Sequence, residues 1–201
     1  MSDTESNLVC VFCGSYDGND PVYVDAATAL GRELVKSGYG LVYGGGTRGL
    51  MGRVARSVHD SNGQVVGIMP RALMSVEGCA DEVGKMVVVE SMHQRKSMMN
   101  DRATAFIALP GGFGTLEELL EITTWSQLSI HNKPVIVLNT NGYYSALKAM
   151  VDTAVNSGFV SASNKHIVVF CDTPEEAVAA IKSYVPPSSR LGLNWGPKVP
   201  V

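Results

Sequence analysis

Ala105-Phe106-Ile107-Ala108-Leu109-Pro110-Gly111-Gly112-Phe113-Gly114-Thr115-Leu116-Glu117-Glu118 runs from a continuous apolar segment through a proline-glycine turn into a helix start. Apolar residues at every position from 105 to 109 form the pattern of a strand covered on both faces, as in a parallel sheet between two helical layers. The same unit recurs outward in both directions. Strands are predicted at Leu8–Cys13, Gly40–Tyr43, Val65–Met69, Met86–Val89, Ala105–Leu109, Val135–Leu138 and His166–Phe170. Helices are predicted between them at Pro21–Ser37, Leu50–Ser61, His93–Ala103, Thr115–Ile130, Tyr144–Ser157 and Pro174–Tyr184. Val24, Ala27, Leu30 and Leu34 give the first helix its apolar stripe, and Asn19-Asp20-Pro21 supplies a cap followed by a first-turn proline. Sustained strand–helix alternation predicts an α/β fold, a doubly wound and mainly parallel sheet with helices on both faces. Within 201 residues this makes one domain, 1–184, and a short tail, 185–201. The tail begins Pro186-Pro187-Ser188-Ser189-Arg190, carries Pro197 and Pro200, and is expected to lie on the surface or be disordered.

Composition removes several classes of function. A hydrophobic content of 45% supports a buried core. A net charge of −3 provides no basic face for nucleic acid. No apolar run approaches the ~20 residues that a membrane helix needs. The start, Met1-Ser2-Asp3-Thr4-Glu5-Ser6-Asn7, is acidic, the wrong sign for a secretory or mitochondrial leader. Cys10 and Cys13 have metal-ligand spacing but lie inside an apolar run with no second pair, so they are read as buried thiols. The expectation is a reduced, cytoplasmic protein with no membrane partner.

In a sheet of this kind ligands bind beyond the carboxyl ends of the strands, and three of those ends are unusual. The first strand ends in Cys13-Gly14-Ser15-Tyr16, where Ser15 offers a hydroxyl beside a close backbone approach; an ordinary turn explains it equally well. The second ends in Gly44-Gly45-Gly46-Thr47-Arg48-Gly49, a G-x-G-x-x-G loop opening a helix. Bare amides at a helix start suit a phosphate. The loop follows the second strand, and the next strand ends in Met69-Pro70-Arg71 without a ribose-binding carboxylate, so it argues for a phosphate rather than a dinucleotide.

The third end is the opening stretch. With Thr115 as N-cap, Glu118 would close a capping box, which needs no catalytic role. Glu121 stands three residues further on the same side and Glu117 four residues before it. Leu116, Leu119, Leu120 and Leu128 are read as the opposite, core-facing stripe. Three crowded carboxylates call for a nearby cation, and Met92-His93-Gln94-Arg95-Lys96, just before the fifth strand, provides one. A solvated basic turn is the plainer reading of that pair. His59, His131 and His166 show no partner spacing.

Together, Gly44-Gly45-Gly46 with Gly49-Leu50-Met51-Gly52, Met92 to Lys96, and Pro110 to Glu118 resemble the LONELY GUY family of cytokinin-activating phosphoribohydrolases, long labelled "possible lysine decarboxylase". The resemblance spans about Leu8 to Tyr184. It implies a Rossmann-like fold, a homodimer, and hydrolysis of an N6-modified adenosine 5′-monophosphate to free base and ribose 5-phosphate. By the same resemblance Arg95 and Glu118 match the catalytic arginine and glutamate. Glu77, Lys96, the run Gly112, Phe113, Gly114, Thr115, Leu116, Glu117 and Glu118, and Thr124 match nucleotide-binding positions. Thr104 and Arg102 depart from the family pattern, and the tail lies outside it.

Cleaving an N-glycosidic bond leaves positive charge on the anomeric carbon and negative charge on the departing purine. A carboxylate near C1′ answers the first; it is assigned to Glu118, with Glu121 as the second carboxylate. Arg95 serves the leaving base or orients the nucleotide. The 5′-phosphate is expected on the amides of Gly112 to Thr115, with Gly44, Gly45, Gly46 and Ser15 nearby, and Gly111 is counted among the substrate-binding residues. No step calls for a metal or an organic cofactor. A pyridoxal decarboxylase would need a Schiff-base lysine, which Lys96 beside Arg95 does not provide. The competing readings are a non-catalytic nucleotide or phosphorylated-cofactor carrier and a general AMP nucleosidase.

Overall fold

The computed structural model describes residues 7–77 and 83–196. The acidic stretch Met1–Ser6, Cys79, Pro197 and Pro200 lie outside the described residues. Strands β1 (Leu8–Phe12), β2 (Gly40–Tyr43), β3 (Val65–Pro70), β4 (Lys85–Val89), β5 (Ala103–Ala108), β6 (Val135–Leu138) and β7 (Val168–Cys171) form one sheet in the order β4-β3-β2-β1-β5-β6-β7. Every pairing is parallel. The helices are α1 (Pro21–Lys36), α2 (Gly49–Asp60), α3 (Met74–Glu77), α4 (Met92–Arg102), α5 (Phe113–Gln127), α6 (Ser145–Asn156) and α7 (Pro174–Ser183). The short α3, ahead of β4, was not among the predicted helices.

Side chains alternate across each strand, so the sheet feeds two cores. Val9 and Val11 of β1 join α1, α2 and α7 in one core. Leu8, Cys10 and Phe12 join Met99 of α4 and Leu119 and Ile122 of α5 in the other. Both faces are therefore covered, which is the doubly wound arrangement. The same alternation separates Cys10 from Cys13: their thiols belong to opposite cores, and both are buried.

Helix starts explain how the site is held. Asp20 caps α1, accepting from the Val22 amide at 3.0 Å, with Pro21 at the first position. Ser91 caps α4 by accepting from the Gln94 amide at 3.1 Å, and Gln94 accepts from the Glu90 amide at 2.9 Å. This fixes the turn that carries Arg95.

Helix α5 differs from the sequence expectation in its start and in the face that carries Glu118. The helix opens at Phe113, with Gly112 as N-cap and no side-chain cap. Phe113 and Gly114 take helical geometry, so Thr115 is the third helical residue, Glu118 lies in the second turn, and no capping box forms. Glu118 also shares the inward face with Thr115, Leu119 and Ile122 instead of opposing the leucines, while Leu120 is 50% exposed. The described part of the tail, 185–196, lies against the end of α5, where the Leu191 amide donates to the Gln127 carbonyl at 3.0 Å.

Candidate active site

From β1 the chain winds outward through β2, β3 and β4, then returns to β5 on the other side of β1. At this switch point the loops after β1 and β5 diverge into α1 and α5, and a cavity of about 530 Å³ opens beyond them. Two glycines set the crossing: the Gly14 amide donates to the Pro110 carbonyl at 3.0 Å, and a Cβ on Gly14 would stand 3.3 Å from the Gly111 Cα.

Gly111, Gly112, Phe113, Gly114 and Thr115 form one cavity wall. With no side-chain cap on α5, its first-turn amides are free donors at the positive end of a helix dipole. A side chain on Gly112 or Gly114 would meet nothing within 4 Å, so this end is open to a ligand. Ser15 lines the facing wall.

Arg95 reaches the cavity from α4 and is 5% exposed. Its Nε donates to the Ile68 carbonyl at 3.2 Å and its Nη2 to the Gly44 carbonyl at 3.0 Å. Two backbone acceptors thus fix the guanidinium plane. Glu118 Oε1 lies 3.8 Å from Nη1 and Glu77 Oε2 lies 3.9 Å from Nη2. Both distances exceed a direct hydrogen bond, so the carboxylates retain acceptor capacity. Glu77 Oε2 is buried and has no hydrogen-bond partner among the described residues. Burial raises the Glu118 pKa to about 7, opposed by Arg95 and reinforced by Glu117 and Glu77.

Lys96 and Glu121 take places that their spacing did not reveal. Lys96 Nζ lies 2.5 Å from Glu117 Oε1 and 2.9 Å from Glu121 Oε2, clasping α4 to α5. Burial opposes its charge, yet the bonds to Glu117 and Glu121 hold its pKa above the ordinary lysine value. Glu117 remains on the cavity wall, whereas Glu121 is turned to the clasp and is not on it. The second carboxylate beside Arg95 is Glu77. Gly44, Gly45 and Gly46 are buried, Gly44 against Arg95, Gly45 against Met69 and Met86, and Gly46 against Met51, and they do not line the cavity. Thr124 also lies off the wall, exposed, with its hydroxyl donating to the Leu120 carbonyl at 2.8 Å.

Tyr16, Tyr23 and Tyr143 complete the wall and were not singled out from the sequence. Tyr143 donates to the Gly111 carbonyl at 2.6 Å. The tyrosines come from the loops after β1 and β6 and from α1; no motif spacing links them. His131 is buried, with its pKa lowered to about 4 chiefly by that burial, and hydrogen-bonds the Ile122 carbonyl at 2.9 Å. Among the described residues no group of three His, Cys, Asp or Glu side chains is arranged to hold a metal. Nor is any described helix long and apolar enough to cross a membrane.

The family model described as "Possible lysine decarboxylase" matches residues 51–181. Probable cytokinin riboside 5′-monophosphate phosphoribohydrolase LOGL3 of Oryza sativa subsp. japonica is 50% identical over 188 residues, 92% of this chain and 89% of that protein. Cytokinin riboside 5′-monophosphate phosphoribohydrolase LOG3 of Arabidopsis thaliana is 48% identical over 197 residues, 97% of this chain and 92% of that protein. Among solved structures, the molybdenum cofactor carrier protein of Chlamydomonas reinhardtii superposes with a TM-score of 0.68 at 19% identity, covering 89% of this chain and 97% of that one. That likeness concerns the fold alone. Fold and cavity define a Rossmann-like α/β protein with a cavity at the switch point. Within that class, the chain belongs to the LONELY GUY family, the one that includes these phosphoribohydrolases and carries the older decarboxylase description.

Proposed function

We infer that this protein hydrolyses the N-glycosidic bond of cytokinin riboside 5′-monophosphates, releasing the free base and ribose 5-phosphate. The observation that carries the reading is the meeting of Arg95 and Glu118 in one cavity, 3.8 Å apart and not hydrogen-bonded to each other. Relatives at about 50% identity named for this reaction support it.

The chemistry follows from the charges. The 5′-phosphate sits on the free amides at the start of α5, which places C1′ further along the helix, toward Glu118. Ionised Glu118 stabilises the positive charge that develops at C1′ as the bond to the purine stretches, and takes a proton from the attacking water. With a pKa of about 7, it exchanges that proton readily near neutral pH. Arg95 orients the nucleotide and stabilises the negative charge on the departing base. Glu77 is the second acceptor in the site: its buried oxygen, without a hydrogen-bond partner among the described residues, accepts from a substrate hydroxyl or amine. Lys96 acts by holding Glu117 and the α4–α5 junction. Its raised pKa is the opposite of what a Schiff-base lysine requires, so the decarboxylase reading is set aside.

We further read residues 1–184 as one nucleotide-binding catalytic domain and the protein as a cytoplasmic homodimer, as the family resemblance implies. Incubating the purified protein with N6-isopentenyladenosine 5′-monophosphate should yield base and ribose 5-phosphate in equal amounts. The corresponding nucleoside should react at least ~100-fold more slowly, because phosphate binding aligns the bond to be cleaved. Binding without base release would make the protein a carrier. Plain AMP cleaved as efficiently as the prenylated nucleotide would make it a general AMP nucleosidase.

A further inference from the structure

The glycine-rich turn after β2 has the spacing of a phosphate loop but does not line the cavity. Gly45 has φ +82°, a conformation that favours glycine. Gly44 is different: its φ lies outside the left-handed region, so an L-residue's backbone is compatible with this position. What excludes a side chain is Arg95. A Cβ on Gly44 would stand 3.0 Å from the Arg95 Cζ and well inside contact distance of Nη2, the same nitrogen that donates to the Gly44 carbonyl. Met51 Sδ, 3.4 Å from the same point, closes the space on the other side.

We propose that Gly44 is a positioning residue for Arg95, and that the turn after β2 is a socket for the guanidinium and not a cradle for phosphate. With its side chain missing and its carbonyl accepting from Nη2, Gly44 admits the guanidinium to the strand end. The Ile68 carbonyl fixes Nε, which leaves the Nη1 edge directed toward Glu118 and the cavity. The functional consequence rests on the reading of Arg95 as part of the hydrolytic site; the steric relation does not.

The test is a Gly44→Ala cycle with Arg95→Ala, measuring kcat and KM for N6-isopentenyladenosine 5′-monophosphate and the melting temperature. With Arg95 present, Gly44→Ala should lower kcat at least tenfold and lower the melting temperature. With Arg95 removed, the same change should alter kcat less than twofold and leave the melting temperature unchanged. If Gly44→Ala alone fails to fold, recovery of folding in the double variant supports the socket equally. A penalty of the same size in both backgrounds would overturn the proposal, as would a harmless Gly44→Ala or a raised KM regardless of Arg95. Full activity in Arg95→Ala would instead overturn the catalytic reading, while the melting-temperature cycle would still report on the socket.

Discussion

Glu118 is under two opposing demands, since the proposed hydrolysis needs its charge and the surrounding core disfavours it. The residue is 9% exposed and its pKa stands near 7, against 4.5 for an ordinary glutamate. Between pH 4.5 and 7 the folded protein keeps a proton that the unfolded chain has released, so stability falls as pH rises through that window. The full cost is reached above pH 7 and is on the order of 3 kcal/mol, at 1.36 kcal/mol per pKa unit. Glu118→Gln should therefore melt several degrees higher than wild type at pH 8, with the difference gone by pH 4. A mutant no more stable at pH 8 would mean that the carboxylate is solvated. The same ionisation should make kcat/KM rise with pH to a plateau, with an apparent pKa near 7. Arg95→Lys should lose at least tenfold in kcat/KM, because an ammonium cannot span the Ile68 and Gly44 carbonyls while presenting a planar edge to the cavity. Wild-type kinetics in that variant would reduce Arg95 to a point charge.

At the scale of the elements, α5 links the site to the tail. Its open start faces the cavity, and its end is closed by residues 190–195. Arg190 Nη1 donates to the His131 carbonyl at 2.8 Å, the Leu191 amide to the Gln127 carbonyl at 3.0 Å, and Trp195 Nε1 to the Leu128 carbonyl at 2.9 Å. The Gln127 and Leu128 carbonyls are among those that a helix end leaves unpaired, and the His131 carbonyl belongs to the loop that follows. Deleting residues 190–201 should cost about 2–4 kcal/mol, at roughly 1 kcal/mol for each lost hydrogen bond, read by chemical denaturation. An unchanged midpoint would show that the strap bears no load. The strands and helices were legible in the sequence because fully apolar runs and three-four stripes reflect local burial. The start of α5 was not, because Thr115-x-x-Glu118 imitates a capping box while a glycine N-cap leaves no comparable mark. Arg95 and Glu118 could be nominated from their motifs. The capture of Glu121 by Lys96, the exchange of Glu121 for Glu77 beside Arg95, and the burial of Gly44 to Gly46 depend on how α4 packs over β2, β3 and α5, which residue spacing does not encode.

At the scale of the molecule, the parallel sheet gathers the strand ends at one edge, and the reversal between β1 and β5 opens the cavity there. The core requires only burial from these strands; the chemistry comes from the loops and from α4 and α5. Homodimerisation predicts a mass near twice 21.4 kDa by light scattering at micromolar concentration. A monomer mass there would refute the dimer without touching the cavity chemistry. The most direct test of the hydrolytic pair is the initial rate of free-base release from N6-isopentenyladenosine 5′-monophosphate, with wild type and Glu118→Gln measured side by side at pH 8. Wild type should turn over steadily and the mutant should lose at least ~30-fold, about 2 kcal/mol of transition-state stabilisation, with the fold retained by circular dichroism. Equal rates from the two proteins would contradict the hydrolytic role of Glu118.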